Sequence, residues 1–140
     1  MNKKILSIIF SLFLVGVFSI SCSSKEDPKG IEQYNGNIYV SKNQGTFLAK
    51  YLWLSVKGGK VAFASGNDST SIPEKEFNDD KNYLEVEGSG SKYTVKGLTA
   101  EFEKFILEFS EDGSTVNVTI SITTEEGAPY TEKFECTKKN

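Results

Sequence analysis

From Gly36 to the end of the chain, apolar residues recur at every second position, the period of a strand with one buried and one wet face. Val116, Val118, Ile120 and Ile122 alternate with Asn117, Thr119, Ser121 and Thr123. Tyr130, Phe134 and Cys136 alternate with Thr131, Lys133, Glu135 and Thr137, and Leu84 and Val86 with Tyr83, Glu85 and Glu87. Phe105, Leu107 and Phe109 share a face, whereas Phe102 falls on the wrong parity, which predicts a bulge near Glu103 or Lys104. The breaks between runs carry hairpin chemistry: Lys57-Gly58-Gly59-Lys60, Gly88-Ser89-Gly90-Ser91, Glu111-Asp112-Gly113-Ser114 and Glu125-Glu126-Gly127-Ala128-Pro129. The longest connection, Gly66 to Asp80, contains Pro73 and has room for one helical turn or a lid.

With Ile38–Val40, Phe47–Val56 and Val61–Ala64, these runs predict an all-β domain of about eight antiparallel strands in hairpin succession. Either a small barrel or a two-sheet sandwich satisfies the pattern. The succession is similar in pattern to small lipocalin-like barrels, although no lipocalin signature is present. The expected inward set is Phe63, Leu84, Val86, Tyr93, Val95, Phe105, Leu107, Phe109, Val116, Val118, Ile120, Ile122, Tyr130 and Phe134, with Tyr51 and Trp53. Such large side chains predict a filled core, and Cys136 joins them by parity as a small hydrophobe.

The second predicted strand departs from the alternation. Phe47, Tyr51 and Trp53 lie on one parity and Leu48, Leu52, Leu54 and Val56 on the other, so both faces are apolar. Either the N-terminal segment with Ile31 and Tyr34, or the long loop, covers the second face, or a patch stays exposed. Leu48, Leu52 and Leu54 are therefore the candidate interaction surface.

The first 22 residues obey a different logic. Met1-Asn2-Lys3-Lys4 is a short positive start, Ile5 to Ile20 an apolar run, and Ser19-Ile20-Ser21-Cys22 closes it. That layout is a secretory signal, too short for the ~20 residues of a spanning helix. It resembles the signal of bacterial lipoproteins cut by signal peptidase II, except that Ser19 stands where Leu is typical. The resemblance implies cleavage before Cys22, a diacylglyceryl group on its thiol and attachment to the membrane through lipid. Ser23, where an Asp would signal inner-membrane retention, implies sorting to the outer membrane. The resulting expectation is a signal over residues 1–21, a flexible lipidated tether over 22–35 and a β domain over 36–140.

Composition narrows the chemistry. All 16 basic residues are Lys, with no His. Two precede Cys22, which leaves 14 lysines against 19 acids and a net charge of −5 beyond the leader. That balance disfavours nucleic acid, whose binding rests on neutralised phosphates. Without His there is no His base, ligand or triad, and Cys136 is the one thiol beyond Cys22. No catalytic residue, cofactor or metal site is expected. The carboxylate pairs Glu101/Glu103 and Glu85/Glu87 read as solvated faces, and Asn67-Asp68 and Asn78-Asp79-Asp80 as turn formers. The expected function is a non-catalytic, lipid-anchored envelope domain for binding or structural interaction at the cell surface. The alternative is a lipocalin-like carrier of a small hydrophobic ligand. The expected partners are the membrane, and a protein or a small apolar ligand.

Overall fold

The computed structural model describes residues 30–46 and 49–140. The leader, Cys22 and the first part of the expected tether lie outside the described residues, as does Leu48. Eight antiparallel strands form one continuous sheet curled into a half-barrel: β1 (Ile38–Ser41), β2 (Tyr51–Lys57), β3 (Lys60–Gly66), β4 (Val86–Ser89), β5 (Lys92–Val95), β6 (Phe102–Phe109), β7 (Thr115–Thr123) and β8 (Pro129–Lys138). Their order across the sheet is β3-β2-β1-β8-β7-β6-β5-β4. Every sequential pair is adjacent except β3 and β4, and β8 pairs with β1. This is the cyclic order of an up-and-down barrel, opened along one seam. Val61 and Leu84 bridge the seam through two backbone hydrogen bonds of 3.0 and 2.7 Å. Exposed ion pairs Lys60–Glu85 (2.9 Å) and Lys57–Asp80 (2.8 Å) flank it and contribute little each.

Turn chemistry sets the register. Gly58 and Gly59 have φ of 60° and 75° between the paired residues Lys57 and Lys60. A two-residue turn with positive φ at both positions matches the twist of a hairpin and calls for glycine. Gly88 pairs with Tyr93 at φ 142°, and a Cβ there would meet the Lys92 carbonyl oxygen at 2.2 Å. The expected bulge is present: Phe102 pairs with Ile122 but Lys104 with Ser121, so Glu103 is the extra residue.

Inside the curl, Leu54, Val56, Val61, Tyr93, Leu107, Val116, Val118 and Cys136 are almost fully buried. One pole of the half-barrel is sealed. Ile31–Tyr34 forms a single 3-10 turn whose residues i and i+3, Ile31 and Tyr34, face the same way and are buried. The Tyr34 ring stacks on Phe109 at 4.0 Å, with Tyr39 and Tyr93 edge-on to the same ring. Their hydroxyls are satisfied: Tyr39 donates to the Gly113 carbonyl and Tyr93 to that of Gly90, both at 2.7 Å. The expected tether boundary at residue 35 is thus corrected, because Ile31 and Tyr34 belong to the core.

The outer face of β1–β3 carries a second, smaller core of Val40, Trp53 and Ala62. The segment between β3 and β4 folds over it, through Phe77 of the short helix α1 (Glu74–Phe77) and Tyr83. Trp53 Nε1 donates to the Asp68 carbonyl (3.2 Å), Ser55 Oγ to the Tyr83 hydroxyl (2.8 Å), and that hydroxyl to the Phe77 carbonyl (3.0 Å). The long loop, not the N-terminal segment, is the cover. No helix among the described residues is long and apolar enough to cross a membrane.

Two sequence expectations are overturned on β2. Tyr51 and Trp53, expected inside, lie on the outer face beneath the long loop. Leu52 and Leu54, expected on an outer interaction surface, point into the main core at 7% and 0% exposure. The physical reason is the register: Leu54 lies opposite Phe63 and Tyr39, and directly opposed residues share a face.

Cys136 is fully buried, and burial pushes its thiol up to about 12. A thiol held neutral in a core is inert. We expect an alkylating probe at neutral pH to react slowly with Cys136 in the folded protein and rapidly in denaturant. Fast labelling of the native state would contradict the β8 register. The raised pKa also fixes a sign: the folded state holds this proton where the unfolded chain releases it. Stability is therefore lost as pH rises from the ordinary thiol value of 9.0 towards about 12.

Candidate functional site

Cross-strand rows of inward side chains run from the sealed pole to the opposite one. Phe109, Val116 and Cys136 form one row, then Leu107, Val118 and Phe134, then Phe105, Ile120 and Glu132, then Phe102, Ile122 and Tyr130. The first two rows are buried; Ile120, Glu132, Phe102, Ile122 and Tyr130 are half-buried. The curl therefore ends in a pocket open to solvent, of about 270 Å³, lined by Glu101, Phe102, Ile120, Ile122, Tyr130, Glu132 and Phe134.

Local structure places each wall. The bulge at Glu103 reverses the parity of β6, which brings Phe102 to the inner face opposite Ile122. Glu103 itself accepts a 2.5 Å hydrogen bond from the Thr123 hydroxyl. Phe105 packs across the curl on Phe63 with ring centres 4.0 Å apart. The β1–β2 connection closes in at β8: a Cβ on Gly45 would stand 2.7 Å from the Phe134 ring, and the Thr46 amide donates to Glu132 Oε1.

Glu132 is the anomaly. A half-buried carboxylate in an apolar inward row is uncommon in a core and informative where it occurs. It occupies the inward parity of β8 between Tyr130 and Phe134, a signal the alternation already contained. Glu101 stands exposed beside the pocket. The remaining carboxylates singled out from sequence point elsewhere: Glu85 pairs with Lys60 and Glu87 with Lys96. Asp68 is held down to about 2 by the amides of Ser71 and Thr70 and the Thr70 hydroxyl, which makes it a turn former. The leucines expected as a surface do not contribute: Leu52 and Leu54 are interior, and Leu48 lies outside the described residues.

The pocket is concave and mostly apolar. It offers aromatic and branched walls, one phenol and two carboxylates, with no histidine or thiol lining the pocket. No family model, no curated protein and no solved structure matches the chain.

Proposed function

We propose that this chain is a lipid-anchored, non-catalytic binding protein of the cell envelope, held through Cys22 and engaging a small apolar ligand at the open pole of the half-barrel. The anchor is supported by the leader sequence, Lys3-Lys4, the apolar run and Ser21-Cys22. The binding element is supported by one observation above others, the apolar pocket that ends the inward rows. Its size falls just under the ~300 Å³ at which small-molecule pockets begin, so the ligand body is short. This favours the carrier reading over an exposed leucine stripe, since Leu52 and Leu54 are unavailable to a partner.

A neutral fluorescent probe, N-phenyl-1-naphthylamine, should bind the purified full chain saturably at one site. Ile122→Trp fills the pocket from its rim and should abolish that binding while leaving the unfolding midpoint little changed. Non-saturable binding, or binding that survives Ile122→Trp, would remove the pocket from the proposal.

A further inference from the structure

We propose that Asn35 is a site of spontaneous deamidation to aspartate and isoaspartate, gated by the sealed pole: inert while the 3-10 turn is seated, reactive once that turn lifts. The reading is independent of the pocket.

Asn35-Gly36 is the one Asn-Gly step in the chain. Glycine has no side chain to shield its nitrogen, so that nitrogen can attack the neighbouring side-chain amide. The bond from Gly36 N to Asn35 Cγ forms as the Gly36 proton passes to solvent. The Cγ–Nδ2 bond breaks, and the nitrogen leaves as ammonia. Water then opens the cyclic imide at either carbonyl, giving aspartate or isoaspartate and restoring the Gly36 N–H. The balance is an amide and a water in, a carboxylic acid and an ammonia out, with no other reactant.

Both residues are exposed, so water is not withheld. Geometry restrains them instead. Asn35 (φ −53°, ψ 137°) and Gly36 (φ 88°) are the central residues of a type II turn, closed by the Asn37 amide donating to the Tyr34 carbonyl at 3.1 Å. Ring closure needs the Gly36 nitrogen swung round to Asn35 Cβ, and that ψ holds it away. The Gly36 amide donates to the Val56 carbonyl at 2.8 Å, and the Val56 amide to the Asn37 carbonyl at 3.0 Å. The Gly59 amide donates to Asn35 Oδ1 at 3.0 Å, which ties the side chain to the β2–β3 turn. Tyr34 directly precedes the step with its ring on Phe109, so turning ψ of Asn35 pulls on the plug. The labile pair is also hard to replace. A Cβ at Gly36 would meet open space, yet its φ disfavours any side chain. Isoaspartate routes the main chain through the side-chain carbons and adds a backbone atom between Tyr34 and Gly36. The turn and its bonds to Val56 then cannot re-form together, so the modification records past opening and keeps the pole from resealing.

The full chain, incubated at mildly alkaline pH in heavy-oxygen water, tests this in buffer and in urea above the unfolding midpoint. Peptide mapping by mass spectrometry locates the incorporated oxygen, and electron-transfer fragmentation separates isoaspartate from aspartate. In urea, Asn35 should convert faster than any other asparagine. In buffer it should convert roughly tenfold or more slowly, because the reaction waits on the fraction of chains locally open. Tyr34→Leu keeps an apolar plug but loses the ring stack, and should speed conversion in buffer while leaving the rate in urea unchanged. Equal rates for the unaltered chain in buffer and urea would overturn the gating. Slower conversion of Asn35 than of other asparagines in urea would overturn the site itself. A Tyr34→Leu chain that converts no faster in buffer would overturn the plug as the gate.

Discussion

Leu54→Lys should leave the domain unfolded at room temperature. Leu54 is fully buried on the inner face of β2, between Tyr39 on β1 and Phe63 on β3. Truncating a buried leucine costs ~2–5 kcal/mol by lost transfer and a residual cavity. A lysine there adds the cost of desolvating an ammonium with no partner in the surrounding cluster of apolar and aromatic side chains. Set against the ~5–15 kcal/mol of a typical domain, that combination removes most or all of the margin. Leu54→Ala should fold, with an unfolding free energy lower by ~2–5 kcal/mol in urea. Trp53 reports the transition, because its indole sits in the second core under the long loop. A cooperative Leu54→Lys protein with an unchanged midpoint would place this stripe outside after all.

Cys22→Ala should abolish incorporation of a palmitate analogue and leave precursor at its full, unprocessed length. The expectation follows from the proposed anchor, because a thioether-linked diacylglyceryl group needs the Cys22 thiol and Ala offers no nucleophile in its place. Each buried methylene of an acyl chain contributes ~0.8 kcal/mol, so more than one chain gives stable attachment and none gives no attachment. The Ala chain should therefore also leave the membrane fraction, or remain there only through its uncleaved apolar leader. Labelling that persists in the Ala variant would defeat the anchor. The pocket proposal would survive that result, since it concerns residues beyond the leader.

Much of the fold is legible in residue order. Period-two alternation locates β6, β7 and β8, and the wrong parity of Phe102 anticipates the bulge that later proves to build a pocket wall. What misleads is β2. Where both parities are apolar, hydrophobicity carries no information about which face is inside, and a one-residue choice inverts the whole strand. The two-residue Gly58-Gly59 turn held the missing information: it pairs Leu54 with Phe63 and Trp53 with Ala64, so an inward Phe63 forces Leu54 inward too. Ile31 and Tyr34 are harder to read, because a single 3-10 turn beside polar linker residues has too little periodicity to announce itself. The pocket was half legible. Ile120, Ile122, Tyr130 and Phe134 belong to the predicted inward set, whereas Phe102 falls off that parity and Glu132 does not stand out in an otherwise apolar ladder. The depth at which packing stops depends on how the sheet curls, which pairwise register alone does not fix.

Both described ends of the chain lie at the sealed pole. Gly30 leads into the 3-10 turn there, and Asn140 binds the Ile38 amide and the Gly36 carbonyl at 2.8 and 2.6 Å. The molecule therefore has a handle and a tip. In a chain fastened at Cys22, the stem to Gly30 spans at most roughly 30 Å when fully extended. The body adds a further ~30 Å, the reach of a strand as long as β8. In a chain anchored in that way the stem would join the handle, which would set the sealed pole nearer the lipid than the rim. A reporter or affinity tag fused after Asn140 would sit on the lipid side and leave the rim free, whereas one inserted in the Glu125–Gly127 turn would stand in the way of anything entering.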